Sequence, residues 1–255
     1  GIEHNERGWR ADAYLYCMET TCPECGWKVP LAPSWVIGEK SMCVAKLDPI
    51  DSEKRFDIRI ESGVSAEEMK KAKEKGTIKS STLVCPYCEQ ATTITRLRGD
   101  RRGEDGTEYG LRMWESHDVV PRPDDVYQER LYCIRWIEKY KDNKGKEHIR
   151  KHYMNPSDQD MVQEEKVMQL LMDKFDDWQA AGYIPSRKIE PGYNTDQPIR
   201  ERGWTYWHHL FNPRQLLVHG LFFSKCDQLP RISTQVQVEL LLEIGRLIDT
   251  KGTGC

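Results

Sequence analysis

The chain has 255 residues, with 38 Lys+Arg against 41 Asp+Glu and a formal net charge of -3; 31% of residues are charged and 38% apolar. That length is ample for a buried core and suits one large domain or two small ones. The slightly acidic balance excludes a chain that holds nucleic acid by bulk charge alone, the eight Trp and eleven Tyr argue against disorder, and no stretch approaches the roughly 20 apolar residues of a membrane span. Residues 1–6 lack the basic start and apolar run of a secretory signal, so a cytoplasmic location is expected.

Residues 13–17 and 27–37 read as short strands on either side of a cysteine-rich turn, with Pro30 and Pro33 limiting any long pairing. Val44 to Leu47 and Phe56 to Ile60 continue the pattern, Phe56, Ile58 and Ile60 alternating with Asp57 and Arg59. Ser65 and Glu68 match a capping box for a short helix that ends at Gly76. Thr92 to Leu97 reads as a further strand, and the arginines at 96, 98, 101 and 102 make a dense basic run. Pro121 and Pro123 with Asp124 and Asp125 place a boundary near 120. A hairpin over 129–141 and 146–154 turns at Asp142–Gly145, with Tyr132, Ile134 and Trp136 on one face.

Ser157 caps a long helix in which Met161, Met168, Leu171, Met172, Phe175 and Trp178 recur at helical spacing until Gly182. Over 158–177 seven acids face two lysines, a surface that repels phosphates. Residues 183–203 form a Pro/Gly-rich loop. Asn212 and Pro213 then open a helix to about Phe223, and a last amphipathic helix spans 232–249. The fold class expected is α+β: residues 1–120 a zinc-ribbon-like β domain with an inserted short helix, and 121–255 a hairpin plus a mainly helical region.

The zinc expectation comes from four of the nine cysteines. Cys22-Pro23-Glu24-Cys25 and Cys85-Pro86-Tyr87-Cys88 are identical frames. Two thiolates at that spacing converge from a tight turn, and two such turns supply the four soft ligands of a structural zinc. Gly26 follows the first pair, where a left-handed residue lets backbone N–H groups face the sulfurs, and Glu89 stands there in the second. The 59 positions from 26 to 84 must contain structure of their own. Disulfides are the alternative, but nothing marks an oxidising compartment; a redox dithiol needs only one pair, in a βαβ setting. Cys43, Cys133 and Cys226 read as core thiols, and Cys17 is close enough to the first pair to substitute as a ligand.

No catalytic residue is assigned. There is no glycine-rich phosphate loop, no Gly-x-Ser-x-Gly and no His-Glu-x-x-His. His208 and His209 are adjacent, so a helix would aim them about 100° apart, which suits packing better than chelation. The aromatics of 204–211 read as an anchor before a helix, with base stacking as the alternative. Arg96, Arg98, Arg101 and Arg102 are the candidates for contact with DNA phosphates.

Several stretches together resemble the zinc-ribbon-containing adenine-specific DNA methylases. They are Tyr14 to Pro33 with its Cys-Pro-x-Cys-Gly-Trp, the second Cys-Pro-x-Cys at 85–88, Glu129-Arg130-Leu131-Tyr132, Gly182-Tyr183-Ile184-Pro185, Arg202-Gly203-Trp204-Thr205-Tyr206-Trp207, and Phe211-Asn212-Pro213-Arg214-Gln215-Leu216-Leu217. The resemblance implies a middle region of such an enzyme, between a glycine-rich S-adenosylmethionine motif and a Pro-Pro-Tyr/Phe catalytic motif, neither of which occurs in this sequence. It implies structural zinc at Cys22, Cys25, Cys85 and Cys88, with S-adenosylmethionine bound by the parent protein only. The partners implied are DNA and the methyltransferase core. The competing expectation is a zinc-stabilised protein–protein interaction module.

Overall fold

In the computed structural model, which describes residues 3–104 and 106–228, the chain is α+β, with a mixed seven-stranded sheet and six α-helices among the described residues. It divides into two units, residues 1–110 with 123–157, and residues 111–122 with 158 onward.

The first unit begins with β1 (Arg10–Thr21), β2 (Lys28–Leu31), β3 (Val36–Gly38), β4 (Cys43–Ile50) and β5 (Arg55–Ser62). After α1 (Ala66–Glu74) come β6 (Ile78–Lys79), β7 (Thr82–Val84), β8 (Ala91–Thr93), α2 (Ile94–Arg98), β9 (Arg101–Gly103) and β10 (Gly106–Glu108). The long hairpin of β11 (Tyr127–Lys141) and β12 (Glu147–Met154) completes it. The large sheet runs in the order β12-β11-β1-β2-β5-β4-β3, so the hairpin is built onto the N-terminal strands. Every ladder is antiparallel except β2–β5, which pairs only at Lys28 and Arg55. The cause is Pro30. Lys28 donates its N–H to the Lys54 carbonyl; two residues on, the nitrogen faces the same side and has no hydrogen to give.

The alternation read in Phe56 to Ile60 is present: Phe56 and Ile58 are buried, and Asp57 and Arg59 are exposed. The capping box of α1 forms as expected, Ser65 Oγ accepting from the Glu68 N–H and Glu68 accepting from the Ser65 N–H. Two expectations need correction. Thr92 to Leu97 is a strand only to Thr93; Thr93 then caps α2 by accepting from the Arg96 N–H, and Gly99 closes it with φ +76. Tyr132 does not share a face with Ile134 and Trp136. Leu15 pairs with Cys133 but Tyr16 with Leu131, so Tyr132 is the extra residue of a β-bulge. Leu131, Ile134 and Trp136 form one cluster, while Tyr132 packs on the opposite one with Trp35, Val44 and Ile58.

The second unit holds α3 (Asp158–Met172), α4 (Phe175–Ala180), α5 (Asp196–Arg202) and α6 (Pro213–Asp227). The single long helix expected from 158 is broken at Lys174, which leaves helical geometry at φ -121. The break lets Phe175 and Trp178 join Val167, Leu171, Leu216 and Leu217 in one core. Met161 and Met172 lie exposed outside it, so that part of the apolar stripe is not core. The loop from 183 ends in α5. Asn212 caps α6 in a capping box with Gln215, and Pro213 opens it. The helix expected over 232–249 lies outside the described residues. No helix among those described is long and apolar enough to cross a membrane.

Candidate metal centre

Each Cys-Pro-x-Cys frame is the turn of a hairpin: Cys22 follows β1 and β2 begins at Lys28, while Cys85 follows β7 and β8 begins at Ala91. The two turns are wired alike. The Cys22 N–H donates to the Trp27 carbonyl (2.7 Å) and the Gly26 N–H to the Cys22 carbonyl (2.9 Å). The Cys85 N–H donates to the Gln90 carbonyl (3.0 Å) and the Glu89 N–H to the Cys85 carbonyl (2.9 Å). Gly26 and Glu89 hold the same place, four residues after the first cysteine, and both are left-handed, at φ +75 and +59. The glutamate of the second turn thus takes the glycine geometry of the first, at some conformational cost.

These turns bring the four sulfurs within 4.8 Å of one another. Cys22 Sγ lies 3.8 Å from Cys88 Sγ, and Cys25 Sγ lies 3.7 Å from Cys85 Sγ. A disulfide needs about 2.05 Å, and the cysteines are free among the described residues. A tetrahedron with sulfurs about 2.3 Å from a central zinc has edges of about 3.8 Å. The four cysteines therefore fit a metal ion of that size and coordination. Among the described residues this is the one close group of three or more metal-ligating side chains.

Polar contacts tune the sulfurs. Burial lifts the Cys85 thiol to about 12 against the pull of the Cys88 and Tyr87 N–H groups. Burial also raises Cys25, with the Trp27 N–H opposing. Burial opposes ionisation of Cys88 too, but the Gln90 N–H and the neighbouring thiols hold it below its ordinary value. Neutral thiols packed this closely gain little from one another, and a divalent ion reverses the balance by binding them as thiolates. The N–H groups then partner sulfurs that carry negative charge, as outer-shell donors do in metal sites.

Contacts between the knuckles use Glu24, Trp27 and Tyr87, to which no role is assigned from sequence alone. Trp27, buried after the first pair, stacks on Tyr87 inside the second at 3.8 Å and 17°. Glu24 inside the first pair binds Arg96 of α2 at 2.9 Å. The signal for both was the pair of variable positions inside the two frames. Cys17 lies in the core beside Trp35 and Val44, outside the sulfur group, as do Cys43 and Cys133 in their own buried sites; burial, chiefly, lifts Cys17 and Cys133 to about 12.

The four arginines take different positions. Arg98 is folded against Asp100 at 2.8 Å, the pair only 12% and 4% exposed. Arg96 is exposed but occupied by Glu24. Arg101 and Arg102 stand exposed on β9, opposite Glu108 and Thr107. The run read as one basic strip thus holds two arginines engaged by carboxylates, Arg96 and Arg98, and two that stand exposed on β9.

In the second unit His208 and His209 are buried in a short 3-10 turn, Trp207–Leu210. His209 Nδ1 accepts from the Thr205 and Tyr206 N–H groups (3.1 and 3.3 Å), so its proton is on Nε2, facing the Glu115 carbonyl at 3.1 Å. Neither belongs to a group of metal-ligating side chains among the described residues. Comparison with protein families, with curated proteins and with solved structures gives no match for this chain.

Proposed function

We propose that this chain is a zinc-stabilised, non-catalytic region of an S-adenosylmethionine-dependent DNA adenine methyltransferase, with a zinc-ribbon-like N-terminal part and a mainly helical C-terminal part. The observation that carries the proposal is the cluster of four sulfurs within 4.8 Å of one another, with separations of 3.7 and 3.8 Å, built by two like-wired turns. Four protein sulfurs leave zinc no open position for water or substrate, so the ion holds the fold and does no chemistry. The family part of the reading rests on the sequence resemblance. The role assigned is to position DNA or scaffold the methyltransferase core that binds S-adenosylmethionine.

The test uses the zinc-loaded chain. It is expected to hold one zinc, to transfer no methyl group from labelled S-adenosylmethionine to DNA, and to bind DNA in a salt-sensitive way. Arg101→Ala with Arg102→Ala is expected to weaken that binding, because these two arginines carry no buried ion pair. Methyl transfer by the chain alone contradicts the non-catalytic role, and no DNA binding at low salt leaves the interaction module as the better reading.

A further inference from the structure

The hairpin of β11 and β12 carries a second basic surface, separate from the arginine run. From Lys139 to Lys151 there are six cations, Lys139, Lys141, Lys144, Lys146, Arg150 and Lys151, against Asp142 and Glu147, in a chain that is acidic as a whole. All six are exposed. The ladder with β1 stops at Arg10 and Ile137, and from Glu138 to Arg150 the two strands pair only with each other. Four residue pairs make about 13 Å of two-stranded ribbon beyond the sheet.

Two acids of the ribbon, Asp142 and Glu138, are used internally. Asp142 accepts from the Lys144 and Lys146 N–H groups (2.9 and 3.0 Å) and binds His148 at 2.8 Å. Glu138 binds Arg150 at 3.3 Å and His152 at 2.9 Å. Arg150 and His148 also flank the Tyr140 ring at 4.7 and 5.5 Å, which stiffens one face. Among the described residues no ion pair engages Lys139, Lys141, Lys144, Lys146 or Lys151. Cross-strand register puts Lys139 opposite Ile149, Lys141 opposite Glu147 and Lys151 opposite Ile137, so Lys139, Lys141 and Lys151 share the other face with Ile149 and a single acid, Glu147. Ile149 is 60% exposed among them.

We propose that this ribbon enters the major groove of B-form DNA, its lysines on the phosphates and Ile149 toward the groove floor. A two-stranded ribbon fits a groove about 12 Å wide, and an aliphatic side chain can meet thymine methyls there, whereas the major groove of an RNA duplex is too narrow. Lysines also guard free strand edges against aggregation, but that role has no use for an exposed isoleucine at their centre. The inference rests on the reading that this chain meets DNA, and it names the surface that does so.

Fluorescence anisotropy of the zinc-loaded chain with a B-form duplex at about 50 and 200 mM salt tests it. Lys→Gln at 139, 141, 144, 146 and 151 together is expected to weaken binding at least tenfold at the lower salt, and to flatten the log–log salt slope by about 0.9 for each phosphate that is no longer neutralised. Lys→Arg at the same positions is expected to retain binding, and unchanged zinc content and thermal transition certify both variants as folded. Unchanged binding by the Lys→Gln variant, with weaker binding by the Arg101→Ala, Arg102→Ala variant, overturns the ribbon and leaves the DNA reading standing. No binding by the unmodified chain overturns both. Equal affinity for an RNA duplex overturns the groove assignment.

Discussion

Glu89 and Gly26 occupy one backbone position in two copies of the same turn, and the difference between them is measurable. A left-handed residue with a Cβ costs about 1–2 kcal/mol, and both positions have φ well inside that region. Glu89→Gly is therefore expected to stabilise the zinc-loaded protein by about 1 kcal/mol in thermal melts. Gly26→Ala is expected to destabilise it by a similar amount, although nothing lies within 4 Å of the added carbon. Arg130 gives a larger effect for another reason. It binds the buried Glu19 at 3.1 Å, the Phe56 carbonyl at 2.7 Å and Asp57 at 2.9 Å. Arg130→Ala leaves the Glu19 carboxylate buried without its partner, so a destabilisation of about 3–5 kcal/mol is expected, far more than for an exposed, solvent-screened pair such as Arg59 and Asp48. Denaturant titration of the two variants, Arg130→Ala and Arg59→Ala, separates these cases. His208 and His209 titrate in the opposite sense to a stabilising cation. Burial pushes both down to about 4, below the ordinary 6.5 or so of the unfolded chain. The unfolded state then binds more protons, so the stability they contribute is present above about pH 6.5 and drains away as pH falls toward 4. Long-range proton–nitrogen spectra are expected to show His209 as the neutral Nε2–H tautomer at pH 6; an imidazolium at that pH would refute the assignment.

Helices and strands were legible where a local rule had no competitor. The capping box of α1, the Asn212–Pro213 start of α6 and the hairpin turn at Asp142 each depend on residues within a few positions of one another. The bulge at Tyr132 was not legible, because alternation within one strand says nothing about the partner, and the extra residue exists only in the register with β1. The break at Lys174 was also hidden. The apolar spacing continues through it, and only the packing of Phe175 and Trp178 under α6 requires it. Gly220 shows the same competition in reverse. In isolation, alanine is preferred in a helix by about 1 kcal/mol over glycine. In α6 a Cβ there would stand 2.0 Å from the Trp178 ring, and overpacking costs about 1–3 kcal/mol. Gly220→Ala is therefore expected to lower the melting temperature; a rise would mean that Trp178 has room to move.

At the scale of the molecule, the metal centre was the feature most fully written in the sequence. Spacing within each frame fixes the knuckle, and two equal knuckles imply a common ion. What spacing cannot give is the fold that closes residues 26–84 so that the knuckles meet: β2 to β7 and α1 fill that interval, and Thr77 ties its end back to β2 by donating to the Pro30 carbonyl at 2.6 Å. The arginine run was visible as composition, but the engagement of Arg98 by Asp100 was not. The basic ribbon was hidden because its cations are spread over two strands and a turn, and gather only in the hairpin register. Since metal binding is folding free energy in such sites, chelation is expected to lower the thermal midpoint of the first unit sharply, and Cys85→Ser to do the same. The most direct test is zinc K-edge X-ray absorption on the purified chain. One zinc per chain with a single shell of four sulfurs at about 2.3 Å is the result expected; no bound zinc, or a shell containing nitrogen or oxygen, would contradict a centre built from Cys22, Cys25, Cys85 and Cys88.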